Sequence, residues 1–197
     1  MTKIPTPCKL VGALLALCLM VLPVAARQPA GNLANATVLI LRHADSPDHG
    51  SGLSAAGNAR AMAYARYFHP FRANGSSIEP NALFATKDSQ ESHRPRLTLE
   101  PLSKSTGLPI NTHFANGEEI ALVAALRALP QGQRILIAWH HGHIPNLLKA
   151  LGADPAALLP EDKWPGDVYD WVIELSFDAN GKLAASRRIV EDLSASP

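Results

Sequence analysis

Three polar clusters in the sequence contain the residue types that phosphate chemistry requires. Arg42-His43-Ala44-Asp45, Lys87–Arg96 and His140–His143 each follow a short apolar stretch. Arginine guanidinium groups match phosphate oxygens in bidentate geometry, and a neutral imidazole can attack phosphorus. Because the unperturbed pKa of histidine is about 6.5, a large neutral fraction exists near pH 7. The clusters therefore predict a site that recognises an oxyanion.

The apolar stretches before these clusters are predicted to be buried strands. Thr37–Leu41, Ala82–Thr86 and Arg134–Trp139 are short and rich in aliphatic residues, which is typical of strands in a parallel sheet. The carboxyl ends of parallel strands meet at one edge of the sheet, where α/β proteins bind their ligands. We therefore expect the three clusters to lie along a single rim.

Helical segments alternate with the strands and predict an α/β fold. The first helix is expected from Ser54, as its N-cap, to about His69, with an apolar face formed by Ala59, Met62, Ala63 and Tyr67. Further helices are predicted at Pro95–Ser105 with Gly107 as its cap, Glu118–Leu129 and Pro145–Leu151, with an extended piece near Ile110–Phe114. Tyr169–Phe177 and Leu183–Val190 flank an Asn-Gly turn and predict a C-terminal β-hairpin. This order indicates a three-layer α/β/α sandwich with a mostly parallel central sheet.

Taken in order, the motifs resemble the histidine phosphatase superfamily, the phosphoglycerate mutase-like group, in its branch 1 type. Arg42-His43-Ala44 matches that family's Arg-His-Gly or Arg-His-Ala signature, and Leu53–Gly57 matches its "Leu-Thr/Ser, two residues, Gly" helix start. Arg94, with Thr98 four residues later, matches the second arginine motif, and Ile135–Gly142 matches a strand that ends in His-Gly. The resemblance spans about residues 37–177.

The resemblance implies roles for the polar residues. His43 would be the nucleophile that becomes phosphohistidine, and Arg42 and Arg94 would hold the phosphoryl oxygens. A second histidine would contact the same oxygens, and we favour His141 because Gly142 follows it. His140 stays open for the case in which the strand ends one residue earlier, because successive strand residues face opposite sides.

The resemblance also implies a carboxylate as general acid. Family members draw it from the region after the second strand, where Glu118 and Glu119 lie, and we favour Glu119. The alternative is that both glutamates simply begin a helix, since a helix N-terminus stabilises a carboxylate. Asp45 and Asp167 are weaker candidates. Neither a metal nor an organic cofactor is implied.

The first residues have the pattern of a signal peptide. Lys3 and Lys9 precede the apolar run Leu10–Leu22, and small residues follow, so we expect cleavage after Ala26. The alternative is an uncleaved anchor, for which the run is short. Residues 27–36 are predicted to be a flexible lead-in, and residues 37–197 the domain. Cleavage would remove both cysteines, Cys8 and Cys18, which suits a periplasmic or secreted protein without a stable membrane span.

These observations predict an exported phosphatase that hydrolyses a small-molecule or envelope phosphomonoester. The formal net charge of +1 gives no indication of nucleic-acid binding. One alternative is a catalytically silent protein that binds a phosphorylated glycan or lipid head group. Another is a metal-binding protein that uses His140, His141 and His143 with His43 or His49. Adjacent histidines at a strand end converge poorly on one ion, and a metal site does not explain two arginines.

Overall fold

The computed structural model describes residues 1–2, 32–73 and 75–193. The predicted apolar run of the signal peptide, both cysteines and the cleavage site after Ala26 lie outside these residues. Within the described part of the chain, no helix has the length and apolar character needed to cross a bilayer.

A six-stranded sheet forms the centre of the domain. Its strand order is β5-β4-β6-β1-β7-β8. The first four of these strands pair in parallel, and β7 and β8 are antiparallel. The strands are β1 (Thr37–Arg42), β4 (Ala82–Ala85), β5 (Ile110–Asn111), β6 (Arg134–Trp139), β7 (Trp171–Phe177) and β8 (Leu183–Val190). The mostly parallel sheet and the C-terminal β-hairpin are both confirmed.

Helices cover both faces of the sheet, which confirms the three-layer sandwich. The helices are α1 (Ala55–Tyr67), α2 (Arg94–Thr106), α3 (Glu119–Arg127) and α4 (Ile144–Ala150), and 3₁₀ turns span Pro155–Ala157 and Pro160–Asp162. Leu39 and Leu41 of β1 pack in a cluster with side chains of α1 and α2. Val38 and Ile40 point to the other face and join residues of α3 and α4. Because both faces of β1 are covered, its sequence is continuously apolar.

The predicted apolar face of the first helix is only partly correct: of its four residues, Tyr67 packs against the core. Ser54 is the N-cap as expected, but the buried residues of α1 are Gly57, Ala61 and Tyr64, whereas Met62 is 61% exposed. The buried stripe therefore begins with a glycine, which a search for large apolar side chains overlooks.

Two further features differ from the sequence expectations. A short hairpin of β2 (Phe71–Ala73) and β3 (Ser76–Ile78) follows α1, in a stretch where no strand was predicted. Within the predicted flexible lead-in, Leu33 and Ala36 pack into the core, and the Asn32 N–H donates to the carbonyl of Arg127 at 2.9 Å. The packed domain therefore begins before Thr37.

Candidate active site

The pairing of β1 with β6 brings His43 and His140 together. Arg42 lies opposite Trp139 in the parallel register, and the His43 N–H donates to the carbonyl of Trp139 at 3.0 Å. The next residues along the two strands are therefore neighbours, and their ring centroids are 5.2 Å apart. Of the two candidate histidines, His140 and not the favoured His141 is the one whose ring contacts His43. The strand β6 ends at Trp139, one residue before His140. This is the case for which the sequence left His140 open as the second histidine.

His43 is held as a neutral imidazole with one ring nitrogen free to react. The side chain is 3% exposed, and its Nδ1 lies 2.8 Å from the carbonyl oxygen of Ala44. A carbonyl only accepts, so Nδ1 carries the hydrogen and Nε2 carries the lone pair. Burial lowers the pKa of His43 to about 3, and the positive charges of Arg42 and Arg94 add to the effect.

The second arginine motif fixes the backbone that follows the nucleophile. The Ala44 N–H donates to Thr98 Oγ1 at 2.8 Å, and this hydroxyl donates to the carbonyl of Arg94 at 2.8 Å. Thr98 is completely buried. Because Arg94 and Thr98 are one helical turn apart on α2, the same turn positions an arginine and anchors the nucleophile loop.

The Leu53–Gly57 motif fixes the same loop from the other side. The Ser54 hydroxyl caps α1 by accepting from the Gly57 N–H at 3.0 Å, and the Ser54 N–H donates to the carbonyl of Asp45 at 2.9 Å. A Cβ at Gly57 would lie 2.2 Å from that carbonyl oxygen. Glycine is therefore required because the backbone two residues after His43 packs directly on the helix.

Arg42 is buried, with most of its guanidinium paired to neutral oxygen atoms. Nη1 donates to the carbonyls of Gly166 at 2.6 Å and Val168 at 3.1 Å, and Nη2 donates to the Tyr169 hydroxyl at 3.0 Å. The Nε atom is buried and has no hydrogen-bond partner among the described residues. A buried donor without a partner costs about 1–3 kcal/mol, and an oxyanion would remove that cost.

Arg94 shows the same feature. Its Nη1 donates to the carbonyl of Gly50 at 2.8 Å, while its Nε is buried and unpaired within the described part of the chain. Burial lowers the pKa of Arg42, His43 and His140, and the positive charge of Arg94 adds to each shift, which places these groups close enough to interact. Two guanidinium groups and two imidazoles therefore lie near one another, and the positive charge of this cluster comes from the arginines.

His140 is held by hydrogen bonds at both ring nitrogens. Nδ1 lies 3.0 Å from Asn116 Oδ1, and Nε2 lies 2.9 Å from Ser92 Oγ. Burial lowers the pKa of His140 to about 4, and the charge of Arg94 contributes. His141 lies beside the segment that holds Arg42: its Nε2 would lie 3.9 Å from a Cβ placed on Gly166, whose carbonyl accepts from Arg42. Its Nδ1 is buried and has no hydrogen-bond partner in the described part of the chain, and burial lowers the pKa of His141.

Most of the predicted carboxylates are paired with groups other than His43. Glu119 is buried, and its Oε1 accepts from the Gly117 N–H at 3.0 Å and the Trp139 indole at 3.3 Å, and lies 3.2 Å from His143 Nδ1. Glu118 accepts from the Ala115 N–H at 2.7 Å, just before α3. Asp45 pairs with Arg60 at 2.7 Å, and Asp167 is exposed. Glu119 therefore makes the contacts of a residue that begins a helix and supports a buried indole.

No metal site accompanies this cluster in the described residues, where no group of three or more His, Cys, Asp or Glu side chains is arranged to hold an ion. The metal-binding alternative therefore has no geometric support.

Comparison with known proteins identifies the fold. No protein-family model matches the sequence, and no curated protein matches it significantly. Among solved structures, the mycobacterial glucosyl-3-phosphoglycerate phosphatase in complex with inorganic phosphate is similar, with a TM-score of 0.50, 17% identity and coverage of 81% of this chain and 97% of the other. A phosphoserine phosphatase mutant from Entamoeba histolytica with phosphoserine gives a TM-score of 0.50, 11% identity and coverage of 77% and 96%. The fold is that of the histidine phosphatase superfamily.

Within this histidine phosphatase fold, the sequence reasoning missed three site residues. Ser92 lies inside the predicted Lys87–Arg96 cluster, but serine was not considered as a partner for a histidine. Asn116 precedes the favoured glutamates and carries no distinctive spacing. Tyr169 was assigned to the start of a strand, whereas β7 begins only at Trp171. The long separation of Tyr169 from Arg42 along the chain left no local signal for their contact.

Proposed function

We propose that this protein is a phosphatase that hydrolyses phosphomonoesters through a phosphohistidine at Nε2 of His43. The observation that carries the proposal is a neutral imidazole near two arginines, Arg42 and Arg94, whose buried Nε–H donors have no hydrogen-bond partner among the described residues. Two solved structures with this fold belong to phosphatases, one holding inorganic phosphate and one holding phosphoserine, which supports the same class of reaction.

In the first step, Nε2 of His43 attacks phosphorus. The N–P bond forms as the bond to the ester oxygen breaks, and the leaving group departs with the electron pair and takes up a proton from solvent water. Arg42 and Arg94 would stabilise the negative charge on the non-bridging oxygens. Preorganised donors of this kind are effective because they need no reorganisation during the reaction, and loss of one typically costs about 10²–10³ in rate.

In the second step, water attacks phosphorus, the N–P bond breaks, and the proton that the attacking water loses returns to solvent. Inorganic phosphate leaves, and His43 returns to the neutral form with Nδ1–H still donating to Ala44. We assign His140 as the second histidine of the site, because its ring contacts His43 and its orientation is fixed by Ser92 and Asn116. An anionic phosphoryl group would favour the protonated form of His140 and so offset the effects of burial and Arg94.

The proposal is tested with p-nitrophenyl phosphate in the presence of a chelator. We expect turnover by the wild type, none by His43→Ala, and unchanged turnover by His69→Ala, a control at a surface histidine that pairs with Glu79. Labelled substrate should leave an acid-labile, alkali-stable adduct in the wild type only. Phosphate binding without turnover would instead indicate the catalytically silent alternative, and activity that requires added zinc would overturn the mechanism.

The same assay separates the candidate residues. We expect His140→Ala to lower kcat by about 10²-fold or more and His141→Ala to have a smaller effect. Glu119→Gln keeps the shape of the side chain while removing its charge, so a general-acid role predicts a large loss of kcat. From its contacts, we expect that loss to be small. A ranking of His141 above His140 would contradict the assignment of the second histidine.

We also propose that the protein is exported, on the basis of the predicted signal peptide at residues 1–26. The test is to express the full chain in a Gram-negative bacterium, fractionate the cells and measure the mass of the mature protein. We expect a periplasmic or secreted product that begins at Arg27. A full-length product retained in the membrane fraction would favour the anchor alternative.

A further inference from the structure

We propose that Tyr169 is a positioning residue that, with the carbonyls of Gly166 and Val168, holds Arg42 so that its Nε edge faces the phosphoryl group. This inference rests on the phosphate site proposed above and deepens it. None of the sequence motifs includes Tyr169.

The contacts of Arg42 determine which edge of the guanidinium is free. A guanidinium has five N–H donors in a fixed planar fork. The Nη1 hydrogens are directed to the carbonyls of Gly166 and Val168, and one Nη2 hydrogen is directed to the Tyr169 hydroxyl. The Nε–H has no hydrogen-bond partner among the described residues. It lies on the edge of the guanidinium that also carries Nη2, which is the edge that binds phosphate oxygens side-on.

The partners of Arg42 are suited to hold its position without neutralising it. Its direct hydrogen-bond partners are carbonyls and a phenol, which carry no formal charge. The Tyr169 ring adds a cation–π contact, with its centroid 3.7 Å from Cζ of Arg42. A carboxylate in place of the phenol would satisfy the same donor but would also offset the positive charge that the phosphoryl group needs. Tyrosine therefore fixes the geometry and leaves the charge available.

Tyr169 is itself fixed by the loop that follows the nucleophile. Its hydroxyl oxygen accepts from Arg42 Nη2 and lies 2.9 Å from Ser46 Oγ. Because arginine only donates, the phenol hydrogen is free to donate to Ser46. The Tyr169 ring centroid is 6.2 Å from that of His43. The chain Ser46–Tyr169–Arg42 thus couples the 165–169 segment to the strand end that carries His43.

The test is a double-mutant cycle between Tyr169 and Arg42. Tyr169→Phe keeps the ring and removes the hydroxyl, and we expect kcat to fall about 10-fold, because a hydrogen bond to a charged group is lost. Tyr169→Leu also removes the ring, and we expect a fall of about 100-fold. In an Arg42→Ala background, Tyr169→Phe should have no further effect, since it acts through Arg42. Tyr67→Phe, at the far end of α1, is the control and should leave kcat unchanged.

The cycle is measured on two quantities, kcat for p-nitrophenyl phosphate and the Kd for inorganic phosphate. If the wild type binds phosphate without turnover, the proposed phosphatase activity fails, and the cycle on Kd still tests the role of Tyr169. Equal effects of Tyr169→Phe in the two backgrounds would overturn the inference. A Tyr169→Phe variant whose kcat and Kd both match those of the wild type would also overturn it. The same holds for a variant that has a lower Tm but unchanged kcat and Kd.

Discussion

Gly57 is the position at which a single methyl group should disturb the nucleophile most directly. It lies in the first turns of α1, where a Cβ would sit 2.2 Å from the carbonyl oxygen and 3.0 Å from the nitrogen of Asp45. Carbon–oxygen contacts in proteins are about 3.3–3.6 Å. Both colliding atoms belong to the backbone, so no side-chain rotation can relieve the contact. Gly57→Ala must therefore separate the helix from the loop by about 1 Å.

The cost of that displacement has two opposing parts. Overpacking a well-packed interior typically costs about 1–3 kcal/mol, while alanine is more favourable than glycine in a helix by about 1 kcal/mol. The difference is a net destabilisation of about 0–2 kcal/mol, which corresponds to a decrease in Tm of up to about 8 °C for a domain of this size. The effect on activity should be larger. A shift of about 1 Å in a catalytic group can lower the rate by about 10²-fold.

The assay combines thermal unfolding with steady-state hydrolysis of p-nitrophenyl phosphate. Gly52→Ala adds the same methyl group at a loop glycine that has nothing within 4 Å of the added carbon, and its Tm should match that of the wild type. A Gly57→Ala variant with the Tm and kcat of the wild type would refute the reasoning. That result would mean that the contact between α1 and Asp45 is not maintained in solution.

Two further predictions concern titration. Burial and nearby arginines lower the pKa of His43 to about 3 and that of His140 to about 4, so their NMR signals, assigned through alanine variants, should not titrate between pH 5 and 8. A midpoint near 6.5 for either ring would contradict this. Burial raises the pKa of Glu191 to about 7 from 4.5, despite hydrogen bonds from Tyr64 and Arg60. Between pH 4.5 and about pH 7 the Glu191 carboxyl is protonated in the folded state and ionised in the unfolded state. The free energy of unfolding therefore decreases as pH rises through this range, by at most about 3 kcal/mol. Glu191→Gln should remove that dependence when urea unfolding of both proteins is compared at pH 5 and pH 7.5, and identical pH profiles would contradict it.

Much of the fold follows from local pattern. The strand Arg134–Trp139 was predicted with the bounds that the structure shows, because a continuous aliphatic run is needed where both faces of a strand are covered. The end of α2 was predicted from Gly107, because glycine reaches the left-handed conformation of a helix C-cap without strain. In the structure Gly107 has this conformation, with a φ of 74°. Ser54 was predicted as a cap because its hydroxyl satisfies a free backbone N–H at the helix start.

Local pattern leaves a choice open where a long-range contact decides the arrangement. His140 and His141 are adjacent and chemically identical, so only the register of β6 against β1 determines which ring meets His43. Glu119 was favoured as the general acid, but its Oε1 accepts hydrogen bonds from the indole of Trp139 and the Gly117 N–H. These partners become visible only when the strand and the start of α3 are placed side by side.

The sequence by itself determined the class of fold and the chemical character of the site. Apolar runs of strand length, helix caps and the order of the arginine and histidine motifs depend on neighbours within a few residues, and these are present in the chain before it folds. Only the tertiary structure decided the partners. Tyr169 lies 127 residues from Arg42, and the contact between them exists because β1 and β7 are adjacent in the sheet. Sequence spacing carries no information about such a contact, because chain closure over that distance depends on the packing of the whole domain.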